Sequence, residues 1–264
     1  MSEKLAPIKE QVYRDPRPAE HFTPFHAWAR ERGTDWVYEL CRLVLSPYCW
    51  ILFRLRGIAS ERVPAAGPVI LAPNHFSFLD HFFLGVALRR KIRFMAKSQL
   101  FKPPLQFVYK HGGVFPVRRG HADEEAFMTA FTILEQGGCL AMYCEGGRSR
   151  SGQVGTKAKR GIGRMALQSG VPVQPVAIHG SSRTRNWKRL QFPRVTVLYG
   201  QPIRWERVEH PTREQEQQVA DEILAEIRAL YAELDTLGRR GMVRRVREWR
   251  RAGAAVPSEA PRGV

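Results

Sequence analysis

An imidazole and a carboxylate stand five residues apart in the stretch Asn74-His75-Phe76-Ser77-Phe78-Leu79-Asp80, inside an otherwise apolar run. On one continuous helix, positions i and i+5 point well apart, because neighbours on a face are three or four residues apart. Contact between His75 and Asp80 therefore requires the histidine in a turn and the aspartate in the first turn of a following helix. Pro73 fits that arrangement, since proline and the residue before it resist helix. A histidine held by a carboxylate has a fixed tautomer and a more basic free nitrogen, which suits a general base near neutral pH. A lone histidine is more often structural, so the context matters. The turn follows a β-like run at 69–72, where α/β folds display reactive groups, and Asn74 and Ser77 offer it hydrogen-bonding side chains.

A second cluster, Tyr143-Cys144-Glu145-Gly146-Gly147-Arg148-Ser149-Arg150, again follows a β-like run. The paired glycines permit a tight turn, and Arg148 and Arg150 can grip phosphate as planar forks. Glu145 can pair with an arginine or accept from a substrate hydroxyl. The competing reading is a surface turn with solvated charges. A third cluster spans 97–119, where Lys97 opens the stretch and Gly112-Gly113 precede a short strand ending at Arg118 and Arg119. A fourth, Val171-Pro172-Val173-Gln174-Pro175-Val176, predicts an edge or bulged strand, because proline cannot donate to a ladder. No G-x-S-x-G, P-loop, G-x-G-x-x-G or H-E-x-x-H is present, which argues against a serine hydrolase, a nucleotidase and a zincin.

The elements that must position these clusters alternate. Strand-like runs at 69–72, 92–96, 114–117, 139–143, 173–178 and 195–199 interleave with helical stretches near 80–90, 122–136 and 158–169. This pattern predicts an α/β fold, a mixed sheet flanked by helices. Thr212 and Gln215 have capping-box spacing, and Val219, Ile223, Ile227, Leu230 and Leu234 form one helical face. Residues 1–20 read as a loose arm, 21–56 as an aromatic-rich helical segment, 57–237 as the α/β domain and 238–264 as a basic tail. The stretch 36–53, WVYELCRLVLSPYCWILF, contains Glu39, Arg42 and Pro47. Those charges argue against a spanning helix, and Pro47 predicts a break into two short helices. Its rings suit a membrane interface, with a buried helix pair as the alternative.

The 264 residues are 44% hydrophobic, enough for a substantial core, and the formal charge is +17. Such a charge calls for an anionic partner: nucleic acid, an anionic membrane or a phosphorylated substrate. The four cysteines have no metal-site or disulfide-framework spacing and read as reduced thiols in a cytosolic setting. The first residues lack the apolar core of a signal peptide.

Taken in order, the clusters resemble the glycerolipid acyltransferase family, in particular the 1-acylglycerol-3-phosphate acyltransferases. That family carries N-H-x4-D, then G-x-x-F-x-x-R, then E-G-T-R-S, then V-P-x-x-P-V blocks. NHFSFLD matches the first, Gly112 to Arg118 the second, Glu145 to Ser149 the third with Gly147 in place of threonine, and Val171 to Ile178 the fourth. Cys144 stands where many relatives have proline. The resemblance covers about residues 60–200. It implies His75 as base and Asp80 as its orienting carboxylate, with Arg118, Glu145, Gly146 and Arg148 holding the acceptor and Lys97 as a further phosphate contact. It implies acyl-CoA or acyl carrier protein as donor, a lysophospholipid as acceptor, and no metal or cofactor. An anionic membrane surface then joins the expected partners, with a peripheral or monotopic place on the cytoplasmic side of the cell membrane. A nucleic-acid-binding protein is the main rival, resting on charge and the arginine tail, yet no helix-turn-helix, zinc finger or RNP motif accompanies them. A non-catalytic peripheral membrane protein is the other.

Overall fold

A computed structural model describes residues 5–8, 14–251 and 261–263. Two N-terminal helices, α1 (Thr23–Glu31) and α2 (Trp36–Ile51), precede the sheet. The strands are β1 (Arg56–Ile58), β2 (Val69–Pro73), β3 (Ile92–Lys97), β4 (Val114–Val117), β5 (Cys139–Ala141), β6 (Val173–His179) and β7 (Thr196–Tyr199). Between them lie α3 (Asp80–Ala87), α4 (Leu105–His111), α5 (Glu124–Glu135) and α6 (Gly161–Ser169), and α7 (Arg213–Arg251) ends the described helices. The seven strands form one sheet in the order β1-β7-β6-β2-β5-β3-β4. Pairing is parallel except between β6 and β7. The expected mixed sheet flanked by helices is present.

Both faces of the sheet are covered, so β2 and β5 at its centre are apolar throughout rather than alternating. Every residue of β2 is buried. On one face, residues of α1, α5, α6 and α7 pack with Ile70, Leu140 and Val173. On the other, α2 and α3 supply Cys49, Phe83 and Leu84 against Leu71, Ala141 and Val176. All four cysteines are unpaired thiols. Burial raises the pKa of Cys49 to about 11 and that of Cys139 to about 12, so neither is a thiolate near neutrality.

Four expectations need correction. Pro47 does not split its segment: α2 runs unbroken from Trp36 to Ile51. Proline removes one i→i−4 bond, here to Leu43, which lies on the most exposed side of the helix. The helix is held instead by its packing on α3 and by Asp35, whose side chain accepts from the Val37 N–H. Secondly, β6 is interior, although it contains Pro175. The β7 ladder begins only at Val176, so no ladder bond needs a Pro175 N–H, and the Pro175 carbonyl still accepts from Gly200. Thirdly, of the stretch 238–264 expected as a basic tail, residues 239–251 are helical, while 252–260 and 264 lie outside the described residues. The chain kinks at Gly238, with φ 61°, and the helix resumes to Arg251. Met242 and Val246 there bury against Ile58, Ala59 and Leu198. Lastly, the N-terminal arm is tied down over residues 14–20. Asp15 is buried and accepts from Arg17 and Ser98.

Candidate active site

The two loops that matter leave the carboxyl ends of β2 and β5, adjacent parallel strands, where an open α/β sheet forms its crevice. Asn74 extends the sheet by side chain: its amide donates to the Ile178 carbonyl at 3.1 Å and accepts from the Ile178 N–H at 2.7 Å. The chain then turns, and α3 begins at Asp80. A carboxylate in a first helical turn is favoured by the helix dipole.

His75 and Asp80 meet as their spacing predicts. The Nδ1 of His75 lies 2.9 Å from Oδ2 of Asp80. The same oxygen accepts the backbone N–H groups of Phe76 and Ser77, each at 2.7 Å. An oxygen that accepts two backbone donors is an ionised acceptor, so Nδ1 carries the proton and donates it, leaving the lone pair on Nε2. Burial pushes the His75 pKa below the usual histidine value, with the Asp80 hydrogen bond and charge opposing it and Arg148 and Arg119 adding to the fall. The imidazole is thus neutral and available as a base near pH 7. Tyr143 stacks on it, ring centroids 4.0 Å apart and planes 22° from parallel. Its hydroxyl is buried with no partner among the described residues.

A cavity of about 270 Å³ opens at His75. Its lining includes three cations, Lys97, Arg119 and Arg148, and apolar side chains, Phe78, Phe94, Met95, Leu100 and Val114. His81 lines it too, with its pKa lowered to about 4, chiefly by burial. The cavity therefore brings together cations for an anion, a base and apolar surface for an aliphatic chain.

Three residues expected to grip a substrate are placed differently. Arg118 is absent from the cavity wall; its side chain donates to the Arg17 carbonyl at 3.2 Å. Both arginines lie past the end of β4, and in the turn that follows Arg119 is the one that lines the cavity. The Glu145 carboxylate is turned to backbone groups. Its Oε1 accepts the His75 N–H and its Oε2 the Gly155 N–H, each at 3.1 Å, so it braces the base loop. Gly146 serves the turn. Its φ is +65°, and a Cβ there would lie 2.8 Å from Lys159 Cγ, a position only glycine fills without strain. Arg148 and Lys97 both line the cavity. The sequence reading did not single out His81 or Tyr143 as site residues; an aromatic or histidine in an apolar run gives no signal until its neighbours are known.

With this geometry in hand, comparison with known proteins is direct. Residues 54–179, the span from β1 through β6, match the family described as Acyltransferase. That stretch carries His75, Asp80, Lys97, Arg119 and Arg148, and by it the chain is similar to the acyltransferase family. More narrowly, the chain is similar to glycerolipid enzymes of that family. It is 25% identical over 184 residues to a chloroplast 1-acyl-sn-glycerol-3-phosphate acyltransferase of Arabidopsis thaliana, covering 67% of this chain and 51% of that one. It is 24% identical over 208 residues to the 1-acyl-sn-glycerol-3-phosphate acyltransferase of Bacillus subtilis, covering 76% and 100%. The chain thus spans about half the length of the plant relative. The crystal structure of the 1-acyl-sn-glycerophosphate (LPA) acyltransferase of Thermotoga maritima superposes with a TM-score of 0.60 over 81% of this chain and 89% of that one, at 20% identity, which shows the same fold.

Proposed function

We propose that the protein transfers a fatty acyl group from a thioester, acyl-CoA or acyl carrier protein, to the free hydroxyl of 1-acylglycerol 3-phosphate, giving phosphatidic acid. The observation that carries this reading is a neutral histidine, fixed by a carboxylate, in a cavity lined by both cations and apolar side chains. Nε2 of His75 takes the proton of the acceptor hydroxyl. The oxygen attacks the thioester carbonyl, the C–S bond breaks, and the departing sulfur receives the proton from the imidazolium. Asp80 holds the ring and stabilises its charged form. Arg119, Arg148 and Lys97 take the acceptor phosphate, in place of the Arg118 set that the motif alone implies.

The site's surroundings favour a membrane surface as the workplace. No helix among the described residues is long and apolar enough to cross a membrane. Yet α2 exposes Trp36, Leu40, Leu43, Val44, Tyr48, Trp50 and Ile51 on one side, and the neighbouring α4 exposes Leu105 and Phe107. The charges of α2 are turned to protein: Arg42 donates to the Arg89 carbonyl and pairs with Glu39, and Glu39 pairs with Lys91. An exposed apolar patch of this kind marks an interaction surface, and its Trp and Tyr suit the headgroup layer. Its place next to the cavity, through Tyr109 of α4 and the half-exposed Phe78, brings a lipid acceptor within reach.

The test is acyl transfer measured by mass spectrometry against lysophosphatidate, other lysophospholipids, glycerol 3-phosphate and an acceptor without phosphate. Lysophosphatidate should be the preferred acceptor. His75→Ala should lose about 10²–10⁴ in rate, the worth of general base catalysis. Arg119→Ala should weaken only phosphate-bearing acceptors, by about one to two factors of ten, since a hydrogen bond to a charged group contributes roughly 1.5–3 kcal/mol. Arg118→Ala should leave that preference intact. A His75→Ala enzyme near the wild-type rate would sink the mechanism.

A further inference from the structure

Arg185 lies in a 3₁₀ segment, Ser181–Arg189, that follows β6. Its guanidinium bonds three backbone carbonyls. Nε donates to Phe76 at 2.7 Å, one terminal nitrogen to Arg150 at 3.1 Å, and the other to Ser149. Phe76 belongs to the loop that carries the base; Ser149 and Arg150 belong to the loop that carries Arg148. No carboxylate pairs with Arg185 among the described residues, so its charge is held by carbonyl dipoles and not neutralised. Burial and the neighbouring Arg148 both lower its pKa. The preceding residue adds a tie of its own, since the Thr184 hydroxyl lies 2.6 Å from that of Ser77.

The three acceptors explain why arginine stands here. A guanidinium presents its donors in a rigid planar fork and so reaches three carbonyls at once, whereas an ammonium is a point charge on a flexible stem. The two loops are also tied by the Ser149 N–H to His75 carbonyl bond, at 2.8 Å, by the Glu145 brace on the His75 N–H and by the stacking of Tyr143 on His75. Arg185 adds Phe76 and Arg150 to the joined residues.

We infer that Arg185 is a positioning residue for acyl transfer: it clasps the base loop to the anion loop and sets the span between His75 and Arg148. This rests on the proposed reaction. An acceptor held by its phosphate presents its hydroxyl to Nε2 only at one span, and a misplacement of about 1 Å costs on the order of 10²-fold in rate. Loosening the clasp therefore acts on turnover of phosphate-bearing acceptors. The expected signature is a fall in turnover with the affinity for the acyl donor little changed.

Arg185→Lys keeps charge and length but lacks the fork, and it is the deciding variant. Its kcat with lysophosphatidate should fall about 10- to 100-fold, with the donor KM within about twofold of wild type and an unchanged circular dichroism spectrum. Arg185→Ala should fall at least as far and recover several-fold in millimolar guanidinium, but not in methylammonium. A structural role without positioning would lower the unfolding temperature and leave kcat at low temperature untouched. Wild-type kcat in Arg185→Lys, or equal rescue of Arg185→Ala by methylammonium, overturns the inference and leaves the reaction standing. A wild-type protein that transfers no acyl group overturns the reaction and this role together.

Discussion

At the scale of single residues, the balance on His75 sets how activity depends on pH. Burial disfavours the imidazolium and Asp80 favours it, with burial the larger effect. The base is active when neutral, so kcat/KM should rise with pH through an acid limb whose midpoint lies below 6.5, the ordinary histidine value. Asp80→Asn removes the influence that raises the pKa. The residual activity should therefore keep an acid limb displaced to still lower pH. A pH–rate profile from 4 to 8 checks both; a wild-type midpoint above 6.5, or an upward shift in Asp80→Asn, would contradict the assignment. Most of this dyad was legible in the sequence, because five residues across a strand–turn–helix junction leave few ways for the two side chains to meet. The phosphate side was less so. Arg118 and Arg119 are adjacent, and a one-dimensional motif does not say which of two neighbours faces the crevice; the turn that follows β4 decides it. The roles of Glu145 and Arg185 were hidden for a related reason. Both act on backbone groups of distant loops, and backbone acceptors have no signature in the sequence.

At the scale of elements, the apolar runs located six of the seven strands to within a residue or two, the three-residue β5 among them, and missed β1 and α4. β1, Arg56–Ile58, brings little apolar sequence of its own, and α4 has seven residues, too few for a helical period to register. The prolines misled because their cost depends on which backbone bond is lost, and that is fixed by the neighbouring strand or the solvent, not by the local sequence. The same holds for residues 239–251. Their arginines dominate the composition, while Met242 and Val246, four apart, bury on the sheet. The element whose role is most open to measurement is α2. Its sidedness makes a definite forecast: Leu43→Ser combined with Ile51→Ser removes exposed apolar side chains without touching the buried Val37, Tyr38 and Cys49. Binding to anionic liposomes should drop about tenfold or more, given roughly 1.5–3 kcal/mol for each large apolar side chain buried. Transfer to a detergent-dispersed acceptor should be nearly unchanged. Undiminished liposome sedimentation would move the contact elsewhere on the molecule.

At the scale of the whole molecule, the +17 charge is unevenly placed. Lys97, Arg119 and Arg148 gather in the cavity, and Arg240, Arg244, Arg247 and Arg251 stand exposed along the last turns of α7 without carboxylate partners among the described residues. Such a field draws the protein to an anionic surface and weakens with salt. The mixed sheet and its helical cover were readable from the alternation of strand-like and helical runs. The strand order was not, since it depends on pairings such as β2 with β5 and β6 that are far apart in sequence.

The neighbourhood of the cavity and the exposed face of α2 and α4 has a kinetic meaning. A protein resting on that face meets its acceptor in two dimensions, so the quantity that governs collision is the acceptor's mole fraction in the film. Diluting lysophosphatidate with inert lipid, at constant total amount per millilitre, should slow the wild-type reaction in proportion. Enlarging the volume of buffer around the same vesicles, once all protein is bound, should change nothing. A rate that follows bulk concentration and ignores surface dilution would mean the acceptor arrives through water, and the apolar face would need another occupant.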